Sequence, residues 1–108
     1  MEKAVDDGLI RSIGISNFNY KQKKRLLENC SIPPVTNQIE CHPYLAQRNL
    51  SKYLRSAGII VTAYSSLGSP NQPWATKDDP VLLDDPAVEK LAQKYSKSSA
   101  QILIRYQL

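Results

Sequence analysis

The chain has 108 residues, 42% of them hydrophobic and 22% charged, with a formal net charge of +4. That length suits one ordinary domain, and the balance of apolar to charged residues excludes a disordered chain and reads as soluble and globular. No apolar run reaches membrane-crossing length, and the basic excess is compatible with a polyanionic partner but too small to name one.

Met1 to Asp7 reads as the tail of a helix, with Gly8 as the residue that ends it in a left-handed conformation. The segment lacks an apolar signal core, so a cytosolic compartment is expected. In the stretch from Leu9 to Asn17, Ile13 and Ile15 alternate with Ser12, Gly14 and Ser16 as in a short strand packed on one side. Asn19 is placed to cap the next helix, with Gln22 in capping-box position, and that helix runs to about Glu28 with Leu26 and Leu27 toward the core. Its basic run, Lys21, Lys23, Lys24 and Arg25, reads as a solvated outer face; nucleic-acid binding is the weaker alternative.

Pro33-Pro34 breaks the chain before a second short strand, Val35 to Glu40. A helix follows from about Gln47 to Ser56, with Leu50, Tyr53, Leu54 and Ala57 on one stripe, and Gly58 ends it. Ile59 to Tyr64 is the third strand, rich in β-branched residues. Ser65 to Asp85 reads as a long irregular segment, the kind that usually serves as a lid or binding loop. Asp85 caps a helix that begins at Pro86, with Val88, Leu91, Ala92 and Tyr95 as its apolar stripe. Ser98 or Ser99 caps a last helix reaching Leu108.

Cys30 and Cys41 form no disulfide framework. Cys41 and His42 are neighbours, and adjacent residues on extended backbone point to opposite sides, which disfavours a joint metal site or a Cys–His catalytic unit. No metal is expected, and both cysteines are expected to be reduced, buried or half-buried thiols.

Strands alternating with helices predict an α/β chain of about three parallel strands with flanking helices. Ser16, Glu40 and Tyr64 stand at the strand ends, spaced 24 residues apart, a period that fits successive strand–helix units. Pattern alone leaves two architectures open: a small doubly wound sheet, or an arc of a (β/α)8 barrel. The chain opens inside a helix without an N-cap and closes without a helix stop, and a barrel needs roughly 250 residues. Residues 1–108 are therefore expected to be a domain incomplete at both ends. Its unpaired sheet edges would make the isolated polypeptide marginal or aggregation-prone.

In parallel α/β proteins, ligands bind at the carboxyl ends of the strands. Here those ends carry Ser16-Asn17, then Asn37, Gln38 and Glu40, then Tyr64-Ser65 and Leu67-Gly68-Ser69. Amides and hydroxyls hold a carboxamide or phosphate without burying charge, and an aromatic ring stacks on a flat heterocycle. The set suits a nucleotide-type ligand better than a metal. Each member also has a plainer explanation. Ser16-Asn17 would start a turn and cap the next helix, Gln38 and Glu40 would bond to one another, and Tyr64 would be a core aromatic.

Three motifs go further. Gly8-Leu9-Ile10-Arg11-Ser12-Ile13-Gly14-Ile15-Ser16-Asn17-Phe18-Asn19 resembles a signature of the aldo-keto reductases. So do Asn37-Gln38-Ile39-Glu40-Cys41-His42-Pro43-Tyr44-Leu45 and Val61 to Pro70, and Asp85-Pro86 and Ser99 to Arg105 follow in family order. The resemblance covers nearly the whole chain, and the stretch from Gly68 to Trp74 looks most like the aldose and aldehyde reductase branch. It implies a partial (β/α)8 TIM barrel and NADP(H) as cofactor. Ser16, Asn17 and Gln38 match positions that bond the nicotinamide carboxamide. Tyr64 matches the tyrosine stacked on the ring, and Ser65, Leu67 and Ser69 match positions lining the pyrophosphate. Trp74 matches a wall of the substrate pocket.

The resemblance implies a carbonyl reductase acting on small aldehydes or ketones, with no nucleic-acid or membrane partner and a monomeric parent. The family's tyrosine acid, with its lysine, aspartate and histidine, belongs to the N-terminal half, so no catalytic residue is expected in these residues. His42 and Tyr44 match the motif after the sixth strand and do not replace them. Ser66 stands where proline is usual, and Asn71 where an aspartate often clasps the cofactor loop. A non-catalytic truncated product or a structural relative is the alternative, because fold alone does not fix function.

Overall fold

A computed structural model describes residues 1–69, 73 and 75–108. In chain order it contains α1 (Glu2–Asp6), β1 (Gly14–Ser16), α2 (Tyr20–Leu27), β2 (Thr36–Glu40), α3 (Arg48–Ser56), β3 (Ile60–Tyr64), a 3₁₀ turn (Leu82–Asp84), α4 (Pro86–Tyr95) and α5 (Ser99–Tyr106). The strands form one parallel sheet in the order β1-β2-β3. Gly14 lies opposite Thr36, Ile15 opposite Asn37 and Ser16 opposite Gln38. The chain divides into two compact units, Met1–Ile39 with Gln47–Thr62, and Glu40–Ala46 with Ala63–Leu108.

The first unit is punctuated where its sequence predicts. After α1, Gly8 takes φ +71°, its N–H bonds the Val5 carbonyl at 2.9 Å, and the Leu9 N–H bonds the Ala4 carbonyl at 2.9 Å. That double closure needs a left-handed residue, which glycine adopts without a Cβ penalty. α3 ends in the same way at Gly58, with Ile59 N–H bonded to the Leu54 carbonyl at 3.0 Å. Leu54 and Ile59, the two residues that this bond joins, are 0% and 2% exposed. Ala57, expected on the α3 stripe, is exposed at the C-cap. The Thr36 hydroxyl reaches the Ile60 carbonyl and the Thr62 hydroxyl at 2.9 and 2.7 Å. The Glu2 carboxylate accepts from the N–H groups of Ser31 and Ile32 at 2.7 and 2.8 Å.

α2 differs from its sequence reading. Asn19 and Gln22 close the capping box as expected, but Leu26 and Leu27 are only half-buried. The buried member of the helix is Lys23, 1% exposed, taken from the middle of the supposedly solvated basic face. Its ammonium lies 3.6 Å from the centroid of the Tyr53 ring, and Tyr53 in turn packs on Tyr20 at 4.2 Å. A lysine is buried this way when its aliphatic stem covers apolar surface and its charge meets an aromatic face.

The second unit centres on Leu82, Val88 and Leu103, with Leu67, Leu83 and Ile102 packed around them. Leu82 begins the 3₁₀ turn, so the stretch read as irregular up to Asp85 is ordered at its end and contributes to the core. Asp85 caps α4 through bonds from Ala87 and Val88 N–H at 2.8 and 3.4 Å. Its second oxygen accepts the Tyr44 hydroxyl at 2.6 Å. Of the predicted α4 stripe, Val88 and Ala92 are buried, whereas Leu91 and Tyr95 are 42% and 56% exposed. α4 packs on α5 and the 3₁₀ turn, and the i, i+4 pair supplies that narrow face. Ser98, not Ser99, caps α5, with Gln101 completing a capping box. Among the described residues no helix is long and apolar enough to cross a membrane.

Candidate functional site

In the first unit the end of β1 turns sharply. Asn17 adopts φ +57°, a left-handed conformation that asparagine tolerates better than most residues. Two donors of this turn meet one acceptor: the Ser16 hydroxyl and the Asn17 N–H reach the Gln38 carbonyl at 3.0 and 2.8 Å. Ser16, Asn17 and Gln38 are thereby brought together, and all three are exposed. The helix cap is Asn19, so Ser16 and Asn17 are not needed for that task. The Ser16 proton is committed to a backbone carbonyl, which leaves its oxygen as an acceptor. The Gln38 side chain carries both donors and an acceptor. Such a set is complementary to a primary carboxamide.

Asn37 plays a different part from its neighbour. Burial alternates along β2, with Asn37 and Ile39 inside and Gln38 outside. The Asn37 side chain is 0% exposed; its Nδ2 donates to the Phe18 carbonyl at 2.9 Å and its Oδ1 accepts from the Phe18 N–H at 3.4 Å. The sequence reading grouped Asn37 with the ligand-facing polar residues. The signal that separates it from Gln38 is the period of two along the strand.

In the second unit Tyr64 ends β3 and is half-buried. The residues after it are left-handed at Ser65 (φ +51°), Gly68 (φ +90°) and Ser69 (φ +43°). Gly68 N–H closes the turn on the Ser65 carbonyl at 2.8 Å, and the Ser69 hydroxyl donates to the Ser65 hydroxyl at 2.7 Å. Ser66, where proline is usual in the family, sits inside this closed turn. Leu67 sends its side chain to the apolar core. A Cβ on Gly68 would lie 2.8 Å from the Leu82 Cβ, so glycine is required there for space as well as for φ. Three serines on a turn with left-handed backbone, and no carboxylate from Ser65 to Ser69, suit an anionic group. Trp74 and Asn71 lie outside the described residues.

Glu40 and His42 settle another expectation. His42 Nε2 is 3.2 Å from Glu40 Oε1, so Glu40 is engaged by His42 rather than by Gln38. His42 is 9% exposed, and its Nδ1 has no partner among the described residues. The Cys41 thiol faces the Ala46 carbonyl at 3.7 Å, and burial pushes its pKa up. Cys30 and Cys41 are both free, one half-buried and one buried. A buried thiol with a raised pKa is the opposite of an activated nucleophile.

Parallel strands alternating with helices define an α/β chain. The profile of the Aldo/keto reductase family matches residues 1–108, and the chain belongs to that family. Its three parallel strands with flanking helices accord with part of a (β/α)8 barrel. The chain is similar to "Aldo-keto reductase family 1 member A1" of Gallus gallus, 51% identical over 107 residues that cover 99% of this chain and 33% of that protein. It is 50% identical to member A1-A of Danio rerio over 108 residues, covering 100% of this chain and 33% of the relative. Member A1 of Homo sapiens is 47% identical over 108 residues, again covering 100% and 33%. The chain thus spans about a third of the length of the curated relatives it matches.

Proposed function

We propose that these residues belong to an NADPH-dependent reductase of aldehydes or ketones and carry part of its cofactor site, while the groups that protonate the substrate lie elsewhere in the full-length parent. The observation that carries the reading is the meeting of Ser16 Oγ and Asn17 N–H on the Gln38 carbonyl. It groups the three residues that the family resemblance assigns to the nicotinamide carboxamide. The donor set fits such a group: one hydroxyl oxygen free to accept and one amide able to do both.

Bound there, the cofactor would supply hydride to a carbonyl carbon. The chain's own residues bind and orient. Ser16, Asn17 and Gln38 hold the carboxamide and so fix the rotation of the nicotinamide ring. Tyr64 offers its ring face for stacking. Ser65, Leu67 and Ser69 line the pyrophosphate, Ser65 through the hydroxyl proton that the bond from Ser69 leaves free and Leu67 through its backbone, because its side chain is engaged in the core. Trp74 would bound the substrate. Reduction also needs a positioned acid for the developing alkoxide. That role falls to the tyrosine, lysine, aspartate and histidine set of the parent, which works as a cytosolic monomer.

NADPH fluorescence tests the reading. Titrating the purified chain with NADPH should change the cofactor's emission, and Gln38→Ala should weaken binding about tenfold, as expected when a pair of charge-neutral hydrogen bonds is lost. Silence at millimolar cofactor, in both this chain and the full-length parent, sinks the cofactor site. Turnover of an aromatic aldehyde by the 108-residue chain alone overturns the assignment of the acid to another segment.

A further inference from the structure

Three polar or charged side chains are buried among the described residues, and Asn37 is the most enclosed of them. We propose that Asn37 is a positioning residue for the cofactor site: its buried amide pins the backbone of Phe18 and thereby fixes the left-handed turn that presents Ser16 and Asn17. This rests on the cofactor reading above and adds to it a residue that touches no ligand.

A buried primary amide is costly unless its donors and acceptor are used. Asn37 spends both kinds on a single residue, donating to the Phe18 carbonyl at 2.9 Å and accepting from the Phe18 N–H at 3.4 Å. The pairing continues the sheet by one rung where β1, only three residues long, has already ended at Ser16. Phe18 directly follows Asn17, whose φ of +57° is unfavourable for any residue with a Cβ. Clamping the next peptide on both its polar groups holds Asn17 in that conformation. The clamp also keeps the Ser16 hydroxyl and the Asn17 N–H on the Gln38 carbonyl. Asn37 and Gln38 thus act on opposite sides of one strand: the inner amide sets the turn, and the outer amide meets the ligand.

The test uses the full-length parent with Asn37→Ala, which removes both bonds, and Asn37→Asp, an isostere that keeps the acceptor but sets a carboxylate against the Phe18 carbonyl. Thr36→Val is the control, because it removes a neighbouring hydroxyl on the same strand without touching Phe18. Amide exchange at Asn17 and Phe18 is read without cofactor, NADPH affinity by fluorescence, and kcat and KM separately. Asn37→Ala should speed exchange at Phe18, and both Asn37 variants should weaken NADPH about tenfold, a loss of the size expected from a buried hydrogen-bond pair. Thr36→Val should lower Tm and change neither. If Asn37→Ala does not fold, Asn37→Asp decides. Wild-type exchange at Phe18 in Asn37→Ala overturns the pin, as does wild-type NADPH affinity in Asn37→Asp, and so does faster exchange with unchanged NADPH affinity. A wild-type parent that binds no NADPH removes the cofactor reading instead, and Phe18 exchange then decides the pin alone.

Discussion

The two units hold left-handed backbone by different means. At the end of β1, Asn17 is fixed by polar contacts: a buried amide clamps the next residue, and two donors meet one carbonyl. After β3, the turn from Ser65 to Ser69 adds packing to its own two hydrogen bonds. Leu67 is drawn into the apolar core, and Gly68 lies against Leu82 with no room for a Cβ. A hydrogen-bonded clamp is directional and depends on a particular amide. A packed turn depends on volume, and it tolerates changes in polarity better than changes in size. Two turns with similar backbone conformations therefore have different weak points.

The largest separation of the two should come from Leu82→Ala. Leu82 is 2% exposed, and truncating a buried leucine costs about 3 kcal/mol. Leu54→Ala in the first unit, where Leu54 is 0% exposed, should cost about as much by the same mechanism. Only Leu82→Ala should speed amide exchange at Gly68. Equal exchange there in the two variants would mean that the turn is not held by the core. Gly68→Ala and Gly58→Ala come next. Both glycines have positive φ, +90° and +71°, but an added Cβ at Gly58 meets nothing within 4 Å, whereas at Gly68 it meets Leu82 at 2.8 Å. Gly58→Ala should therefore cost about 1 kcal/mol of backbone strain. Gly68→Ala should cost at least about 1 kcal/mol more, for overpacking. Urea denaturation measures both, and equal losses would show that the close approach to Leu82 is relieved at no cost.

Much of this was legible in the sequence where local chemistry decides. Asn19 with Gln22 and Asp85 before Pro86 are caps whose partners lie within three residues, Ser98 and Ser99 marked the start of the last helix without deciding between them, and Gly8 and Gly58 end helices for a reason internal to glycine. The β-branched run from Ile59 to Val61 marks its strand in the same way. The misses lie where distant residues decide. Lys23 is buried because Tyr53, 30 positions later, offers its ring face. Leu91 and Tyr95 are exposed because α5 covers only one side of α4. Leu82 fell inside a segment whose polar and proline-rich composition hid a core residue. Within the candidate site, grouping by polarity brought Ser16, Asn17 and Gln38 together but missed the inward turn of Asn37, although the alternation along β2 carried that information.

The pH dependence of the two units should differ in shape as well as size. In the first unit, hydrogen bonds from the Ile32 and then the Ser31 N–H hold the Glu2 carboxyl below its ordinary pKa. A carboxyl with a depressed folded pKa stabilises above its unfolded pKa, and that contribution is lost as pH falls through the folded value. In the second unit, the Tyr44 hydroxyl, followed by the Ala87 N–H, lowers the Asp85 pKa, and the hydrogen bond to Asp85 raises that of Tyr44. Asp85 thus behaves like Glu2 on the acid side. Tyr44, with a raised folded pKa, is favoured in its neutral form: its contribution is complete below the unfolded pKa and is lost as pH rises through the folded one. The Tyr44–Asp85 contact should therefore have both an acid and an alkaline limit, whereas the Glu2 contact has only an acid one. Thermal melts across pH separate them. Glu2→Gln should flatten part of the acid limb and leave the alkaline limb alone. Tyr44→Phe should remove its share of the alkaline limb and only part of the acid one, because Asp85 still caps α4 through Ala87 and Val88. An alkaline limb unchanged in Tyr44→Phe would mean that this contact contributes nothing to the second unit's stability.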